Sequence, residues 1–433
     1  MTETADAVVV GAGAIGTAVA LELCRLGYRT LSIDRLGAPG HGSTSDSASI
    51  VRTYSSTVEM AALAWEAVPT WTGWAEYLDC ADEVGFAHYV RTGSLVIERP
   101  GDDVVDRLTG PLGELAVDHE VWDHGRMAEA LPGFDLRSFW PPRAVDDDRF
   151  WDDPTDCLRR ALFVPEGGYV VDASLVAHNL ATATVAAGGR FRYRAEVVAV
   201  RQSGGAVAGV TLADGTRVDA PVVVNVAGPH SGAVNRLAGV EEGMAVRTRP
   251  LRHELHVVPI PAGHPYATGG PCVSDGDLGV NFRPEPGGHV LVGSEDPECD
   301  PVEWVDDADR FDRGATVDQW ERQVLRLARR LPDLPVPGRP TGLAGLYDVA
   351  DDWMPIYDRS DLDGFYMAVG SSGTQFKAAP VAGYLMSRLV DACESGLDPD
   401  AHPLCLPGPT RGTPIDLSVF SRRRQPRLEA GFI

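Results

Sequence analysis

Apolar and polar positions change period several times along the chain, and each change predicts an element. Val8, Val9 and Val10 form an uninterrupted β-branched run, the pattern of a strand buried on both faces. The run enters Gly11-Ala12-Gly13-Ala14-Ile15-Gly16, after which Ala20, Leu23 and Gly27 mark one packing face at helical spacing. A second strand, Thr30–Ile33, follows and stops at Asp34. Over 59–78, Trp65, Trp71, Trp74 and Tyr77 recur at roughly helical spacing, interrupted by Pro69, a stripe that predicts core packing. A strand is expected over 93–98 and an irregular helical surface over 102–134. From Ala161 the pattern predicts a turn, a helix and a strand ending near Val200, then a hairpin over 204–218. The apolar run Val222-Val223-Val224 belongs in the middle of a parallel sheet, whose C-terminal edge is where α/β sheets hold ligands. Over 249–295 the period becomes two, predicting an antiparallel sheet in a second domain. A helix over 317–331 places Arg322, Arg326 and Arg330 on one face, expected to be solvated. A last strand over 364–370 runs into Ser371 to Lys377, and a helix over 378–391 carries Pro380 in its first turn, where proline is tolerated.

The opening strand, turn, helix and strand carry the clearest chemistry. Gly11 permits the sharp turn, Gly13 lets backbone approach a pyrophosphate, and Gly16 lets the helix pack closely on the sheet. Amides at the helix start, including those of Ala14 and Ile15, and the positive end of its dipole face the phosphates. Asp34, about 20 residues on, can accept the ribose hydroxyls of an adenosine. It argues against a 2′-phosphate and leaves FAD and NAD as the dinucleotides. A bare glycine turn in some other α/β domain is the bland alternative.

Composition narrows the classes further. The chain has 433 residues, enough for two or three domains, and 44% hydrophobic residues, as in a globular protein. A formal net charge of −24 would repel nucleic acid and anionic membrane, so neither is expected as a partner. The seven cysteines are scattered and form no C-x-x-C pair, which predicts a reducing compartment without a disulfide framework or a metal site. No basic, apolar leader opens the chain and no apolar run reaches about 18 residues. A cytoplasmic location is therefore expected.

Other candidate residues follow in chain order. The loop over 37–49 is built of Gly, Ser and Thr, small enough for amides and hydroxyls to reach a ligand. Arg52 follows it, and an ordinary ion pair is its bland reading. His253 and His256, three apart on a strand, lie on opposite faces, and a hydrogen-bonded structural role is the default for each. The start of the helix after Lys377 is a second place able to stabilise negative charge.

Taken together, GAGAIG with Asp34, GSTSDSASIVR, ALFVPEGGYVVDASLV, NVAGPHS, GLYDVADDWMPI and GSSGTQFKAAP resemble the D-amino-acid oxidase superfamily of FAD enzymes. Within it they are similar to the branch holding monomeric sarcosine oxidase and the β subunit of the heterotetrameric enzyme. The resemblance spans nearly the whole chain. It implies an α/β (α+β) fold, with a discontinuous Rossmann-like FAD-binding domain (1–88, 150–243, 342–395), an antiparallel-sheet substrate domain (89–149, 244–341) and a C-terminal tail (396–433). It makes Gly11, Gly13, Gly16, Asp34 and Arg35 the ADP site, with Ser43, Thr44, Val197, Ala227 and Gly228 as further contacts. Gly373, Thr374, Gln375, Phe376 and Lys377 would lie beside the flavin ring. Arg52 and Lys377 would anchor a substrate carboxylate, with Tyr347 close by and His253 as a further candidate.

Three positions depart from the pattern. Gly345 stands where the monomeric sarcosine oxidases tether FAD through cysteine, and Ser45 and Asp46 stand where some relatives use histidine, which implies non-covalent FAD. Leu291 stands where some of these oxidases place the lysine that activates oxygen. Ala350-Asp351-Asp352 replaces a T-P-D element, keeping only the last acid. The implied activity is oxidation of the C–N bond of a small amino acid, secondary or N-methylated, by hydride transfer to flavin, with oxygen or an acceptor protein taking the electrons. A subunit that passes electrons to a partner and an NAD-dependent dehydrogenase are the alternatives. The sequence sets no oligomeric state.

Overall fold

The computed structural model describes residues 2–426. In chain order, β1 (Ala7–Val10), α1 (Ala14–Arg25) and β2 (Thr30–Ile33) open the fold, followed by α2 (Val58–Thr72), β3 (Ser94–Ile97), β4 (Arg160–Val164) and α3 (Ala173–Ala186). Next come β5 (Val222–Asn225), β6 (Thr248–Pro259), β7 (Cys272–Asp275), β8 (Val280–Glu285) and β9 (His289–Ser294). The elements α4 (Val317–Arg330), β10 (Gly342–Ala350), β11 (Phe365–Val369) and α5 (Ala379–Glu394) complete the frame.

A six-stranded sheet runs Arg190–Arg192, β2, β1, β5, β11, Ile356–Arg359. It is parallel except at its last pair. The expected apolar run β5 sits in the middle, with Val224 opposite both Val9 and Tyr366. Alternate side chains enter opposite cores, as burial of both faces requires. Val9, Val224 and Ala368 pack with α1, α2, α3 and α5, whereas Val8, Val223 and Met367 pack with the hairpin strands Val197–Ser203 and Ala206–Leu212.

A nine-stranded sheet roofs the carboxyl ends of this layer. Its order is Glu303–Trp304, β6, β9, β8, β7, β3, β4, Glu120–Asp123, with β10 also paired to β6. It is antiparallel as expected except between β7 and β3, which are parallel because residues nearly 180 positions apart meet there. The strand period of two divides its side chains cleanly. Val273, Phe282, Val290, Val292 and Val258 face α4 and share a separate core with it. Cys272, Ser274, Asn281, His253 and Leu255 face the other way, towards the cofactor cleft.

Several expected boundaries move. Residues 160–164 and 342–350 hydrogen-bond into the nine-stranded sheet, so parts of the segments assigned to the nucleotide domain belong to its roof. Residues 102–134 are not merely helical surface: Glu120–Asp123 is an edge strand, and Val104, Val105, Leu108 and Leu112 are buried. Pro69 does not interrupt α2; the helix continues to Thr72 and breaks at Gly73. The arginine face of α4 is not solvated. Arg326 and Arg330 are buried because Asp300, Asp275 and Asp277 meet them, acids from distant segments that periodicity cannot reveal. The C-terminal stretch is also more than a tail. Ile415, Leu417 and Phe420 enter the core around α5, and buried Arg422 pairs with Asp358, Asp361 and Asp400.

Candidate active site

The turn after β1 folds as its glycines dictate. Gly11 has φ +110°, and a Cβ there would lie 2.3 Å from the Val226 carbonyl oxygen, so only glycine fits. Asp34 ends β2 beside this turn and accepts hydrogen bonds from the Ala12 and Leu36 amides at 2.8 and 2.7 Å. Thr44 Oγ1 accepts the Ala14 amide at 3.0 Å, and Ser43 Oγ donates to the Leu346 carbonyl at 2.6 Å, which fixes the small-residue loop over the start of α1.

Between these elements lies a cavity of about 610 Å³ whose lining includes Gly11, Gly13, Asp34, Arg35, Val197, Ala227 and Gly228. It shares Gly13, Ser43, Thr44 and Gly228 with a second cavity of about 120 Å³ lined by Ala14, Ile15, Gly16, His253, Tyr347, Gly373, Gln375 and Phe376. A third, of about 70 Å³, continues past Tyr347, Gly373 and Phe376 to Arg52, Tyr54, Ser274, Asn281, Glu295 and Thr374. One cleft therefore runs from Asp34 along the start of α1 to the face of the nine-stranded sheet. Its length and its glycine cradle fit an extended dinucleotide, with a small chamber beyond the far end. Arg35 pairs with Asp309, whose carboxyl it holds down to about 2, and Asp309 also meets His230 Nε2 at 3.0 Å.

The far end is assembled from distant segments. Ser372 and Gly373 both have positive φ, and a Cβ on Gly373 would lie 2.4 Å from the Tyr347 ring, so the turn before α5 rests directly against that tyrosine. The aromatic stripe supports the turn: Trp71 stacks on Trp74 and Phe376, and its Nε1 donates to the Lys377 carbonyl at 2.7 Å. Tyr347 stacks on His253 at 4.4 Å between ring centroids, and His253 Nε2 pairs with Asp296 Oδ2 at 3.0 Å. His256 faces the opposite side, as its spacing predicts, against Glu254.

Arg52 lines the small chamber with its guanidinium 5.4 Å from the Tyr54 ring centroid. Lys377 is 4% exposed and does not line these three cavities. Burial, and then the positive charge of Arg52, push its ammonium well below the usual lysine range. Glu295, which no motif marks, lines the same chamber as Arg52. Burial raises its carboxyl to about 7, against the opposing pull of Ser274 and Arg52. Period two had the information, since Glu295 lies four residues after Leu291 and on the same side. Asp348, beside Tyr347, is raised by burial to about 6 while accepting the Gly370 amide at 2.6 Å. Gly345 adjoins Asp46: a Cβ there would lie 2.6 Å from the Asp46 Cβ. Leu291 pairs in register with Val257 and Arg283, and the Arg283 guanidinium is engaged by the Ala48 carbonyl and Glu285.

The fold and the cleft define a dinucleotide-binding protein with a second sheet roofing the far end of its cleft. The chain belongs to the DAO family of FAD dependent oxidoreductases, whose model matches residues 6–389, and this selects FAD over NAD. It is 26% identical to sarcosine dehydrogenase, mitochondrial, of Homo sapiens over 386 residues, which cover 86% of this chain and 38% of that protein. The chain thus spans about two fifths of the length of the curated relatives it matches. L-proline dehydrogenase from P. horikoshii superposes with a TM-score of 0.77 at 18% identity, covering 98% of both chains. Glycine oxidase from Geobacillus kaustophilus superposes with a TM-score of 0.74 at 20% identity, covering 98% of this chain and 99% of that one. Each cysteine is a free thiol, no group of side chains suited to a metal ion occurs among the described residues, and no described helix is long and apolar enough to cross a membrane.

Proposed function

We propose that the chain oxidises the C–N bond of a small amino acid, secondary or N-methylated, held in the chamber between Arg52 and Tyr347, with FAD bound in the cleft non-covalently. The observation that carries this reading is the position of Arg52: a half-buried arginine lining a chamber of about 70 Å³ at the end of the dinucleotide cleft. FAD, when bound, supplies the two-electron acceptor. The chain's own residues supply position. Arg52 takes the substrate carboxylate as a charge-assisted pair in a water-poor site. Tyr347 and Phe376 wall the chamber, and Lys377 lies buried close enough to Arg52 to feel its charge. His253, held by Asp296 and Tyr347, sets the orientation of the tyrosine ring. Placing the reacting carbon in this way can lower the barrier by several kcal/mol, reaching about 7 or more for the best-oriented reactants. The nucleotide contacts expected of Gly11, Gly13, Asp34, Arg35, Val197 and Gly228 all fall on the larger cavity, which supports the same placement of FAD.

Non-covalent binding is supported by Gly345, which offers no thiol and has no room for one against Asp46. Acid denaturation followed by centrifugation is expected to leave the yellow colour in the supernatant. For the electrons, Leu291 puts an apolar side chain on the cofactor-facing side of β9, and its neighbour Arg283 is committed elsewhere. Reoxidation by air is therefore expected to be slow, with an acceptor protein or dye raising turnover. The reaction itself is tested by mixing the yellow protein anaerobically with a panel of amino acids and amines. Bleaching by N-methyl or cyclic amino acids supports it, and bleaching only by simple amines overturns it.

A further inference from the structure

Resting on the reading that a small amino acid occupies this chamber, we propose that Glu295 is the acceptor for the proton on the substrate's ammonium group. The chamber would then select zwitterions by pairing Arg52 with the carboxylate and Glu295 with the nitrogen, and would turn them into free amines in place.

The placement follows from the sheet. Glu295 leaves β9 on the side of Leu291 and Gly293, facing away from α4, and its amide is fixed by the Gly279 carbonyl at 3.1 Å. Ser274 Oγ donates to Oε1, and among the described residues Oε2 takes no hydrogen bond. The accessible surface that Glu295 retains opens onto the chamber, which also contains Arg52. The other groups nearby are committed. Asp275 is bound to Arg330 behind the sheet at 2.7 Å, and Asp296 to His253 at 3.0 Å. The hydroxyls of Tyr54 and Tyr347 and the thiol of Cys272 are all held protonated by burial. Asn281 is uncharged. Among the described residues, Glu295 is thus the one carboxylate of the chamber lining and Arg52 the one cation, near enough to act on its carboxyl.

The step balances without a redox partner. One ammonium N–H bond breaks, an O–H bond forms on Glu295 Oε2, and the N–H electron pair remains on nitrogen as a lone pair. That pair becomes the second bond of the C=N group when the adjacent carbon is oxidised. Two features favour the transfer. A neutral acid and amine cost less in a buried site than an ion pair. Arg52 also disfavours a further cation there. Burial brings Glu295 to about 7, so it is ionised and able to accept above that pH.

The test uses the FAD-loaded enzyme and two ligands that cannot be oxidised. α-Aminoisobutyrate has neither an α C–H bond nor an N-methyl group; isobutyrate has the same shape without nitrogen. Calorimetry in two buffers of different ionisation enthalpy reads the protons exchanged on binding. With α-aminoisobutyrate, wild type should release close to one proton per site at about pH 6, where free Glu295 is protonated, and almost none at about pH 8.5. Isobutyrate should release none at either pH, and Glu295→Gln should abolish the release with α-aminoisobutyrate. In anaerobic stopped flow with an oxidisable amino acid, Glu295→Gln should slow bleaching by about a hundredfold near pH 7. It should recover towards wild type as pH approaches the substrate's own amine pKa, and Glu295→Asp should keep the wild-type profile. An equal loss at every pH, or unchanged proton release, overturns the role of Glu295. If isobutyrate binds as tightly as α-aminoisobutyrate and Arg52→Leu weakens both, the carboxylate site stands and the proposal for Glu295 falls. If wild type binds neither ligand, the amino-acid reading itself fails, and this inference with it.

Discussion

The two faces of the nine-stranded sheet each bury charge, and they do so in opposite ways. Behind the sheet, Arg330 is fully enclosed but saturated: Asp275 and Asp277 meet it at 2.7 and 3.0 Å, and the carbonyls of Asp135 and Arg137 take its remaining protons. In front, one residue along β7 from Asp275, Ser274 looks into a chamber lined by Arg52 and Glu295, with Lys377 buried close enough to Arg52 to feel its charge. There the protein holds a carboxyl up at about 7 and a lysine well below its usual range. A satisfied buried network holds a fold together, whereas perturbed groups around a cavity mark the place where a ligand completes the electrostatics. Distance from the chain's surface does not separate the two cases. The inventory of partners does.

The sharpest way to break this contrast is on the back face. Arg330→Leu should strand two buried carboxylates and destabilise the protein by about 3–5 kcal/mol in chemical denaturation. Glu295→Gln, in front, should leave stability unchanged or raise it. Comparable losses from both would erase the distinction.

Arg52→Leu should weaken binding of a carboxylate inhibitor by roughly 1.5–3 kcal/mol, the range for a hydrogen bond to a charged group, with little change in melting temperature. Equal binding before and after the change would return Arg52 to an ordinary ion pair.

Asp348 sharpens the comparison through pH. Its folded-state value, about 6, lies above the unfolded one, so the folded protein keeps a proton that the unfolded chain has already released. That stabilisation is present at about pH 4 and is lost as pH rises through 6. Asp348→Asn should flatten the dependence and be the more stable form at pH 8, by about 3 kcal/mol. Denaturation midpoints at the two pH values decide it, and an unchanged slope would show that another group carries the effect.

The smallest expected effect is at Leu291. Leu291→Lys adds a cation on the cofactor-facing side and should speed reoxidation by air several-fold, roughly 1 kcal/mol of barrier. Fast reoxidation in wild type, unaffected by the added lysine, would mean that oxygen is activated elsewhere in the chamber.

Much of the nucleotide end was legible in the sequence because its recognition is local. The glycines, the helix start and Asp34 lie within one stretch of chain, and each acts through backbone geometry that residue type alone imposes. The strand β5 and the turn before α5 were legible for the same reason, as was the opposition of His253 and His256, which period two requires. The chamber was only partly legible. Tyr347 and Arg52 were reached through motifs, but Glu295, Ser274 and Asn281 come from three strands whose order and register no local pattern states. Lys377 shows the same limit from the other side, since its motif named the residue but only packing buried its ammonium beside Arg52.

The sequence by itself therefore determined the elements, their apolar faces and the dinucleotide turn, since these depend on contacts between near neighbours along the chain. Only the tertiary structure decided which charges are silenced and which remain poised. Arg326 and Arg330 read as solvated until distant acids closed over them, and Glu295 read as the end of a strand until folding set it opposite Arg52. The charge state of a buried group depends on what surrounds it in space, and that is fixed only when the sheet closes.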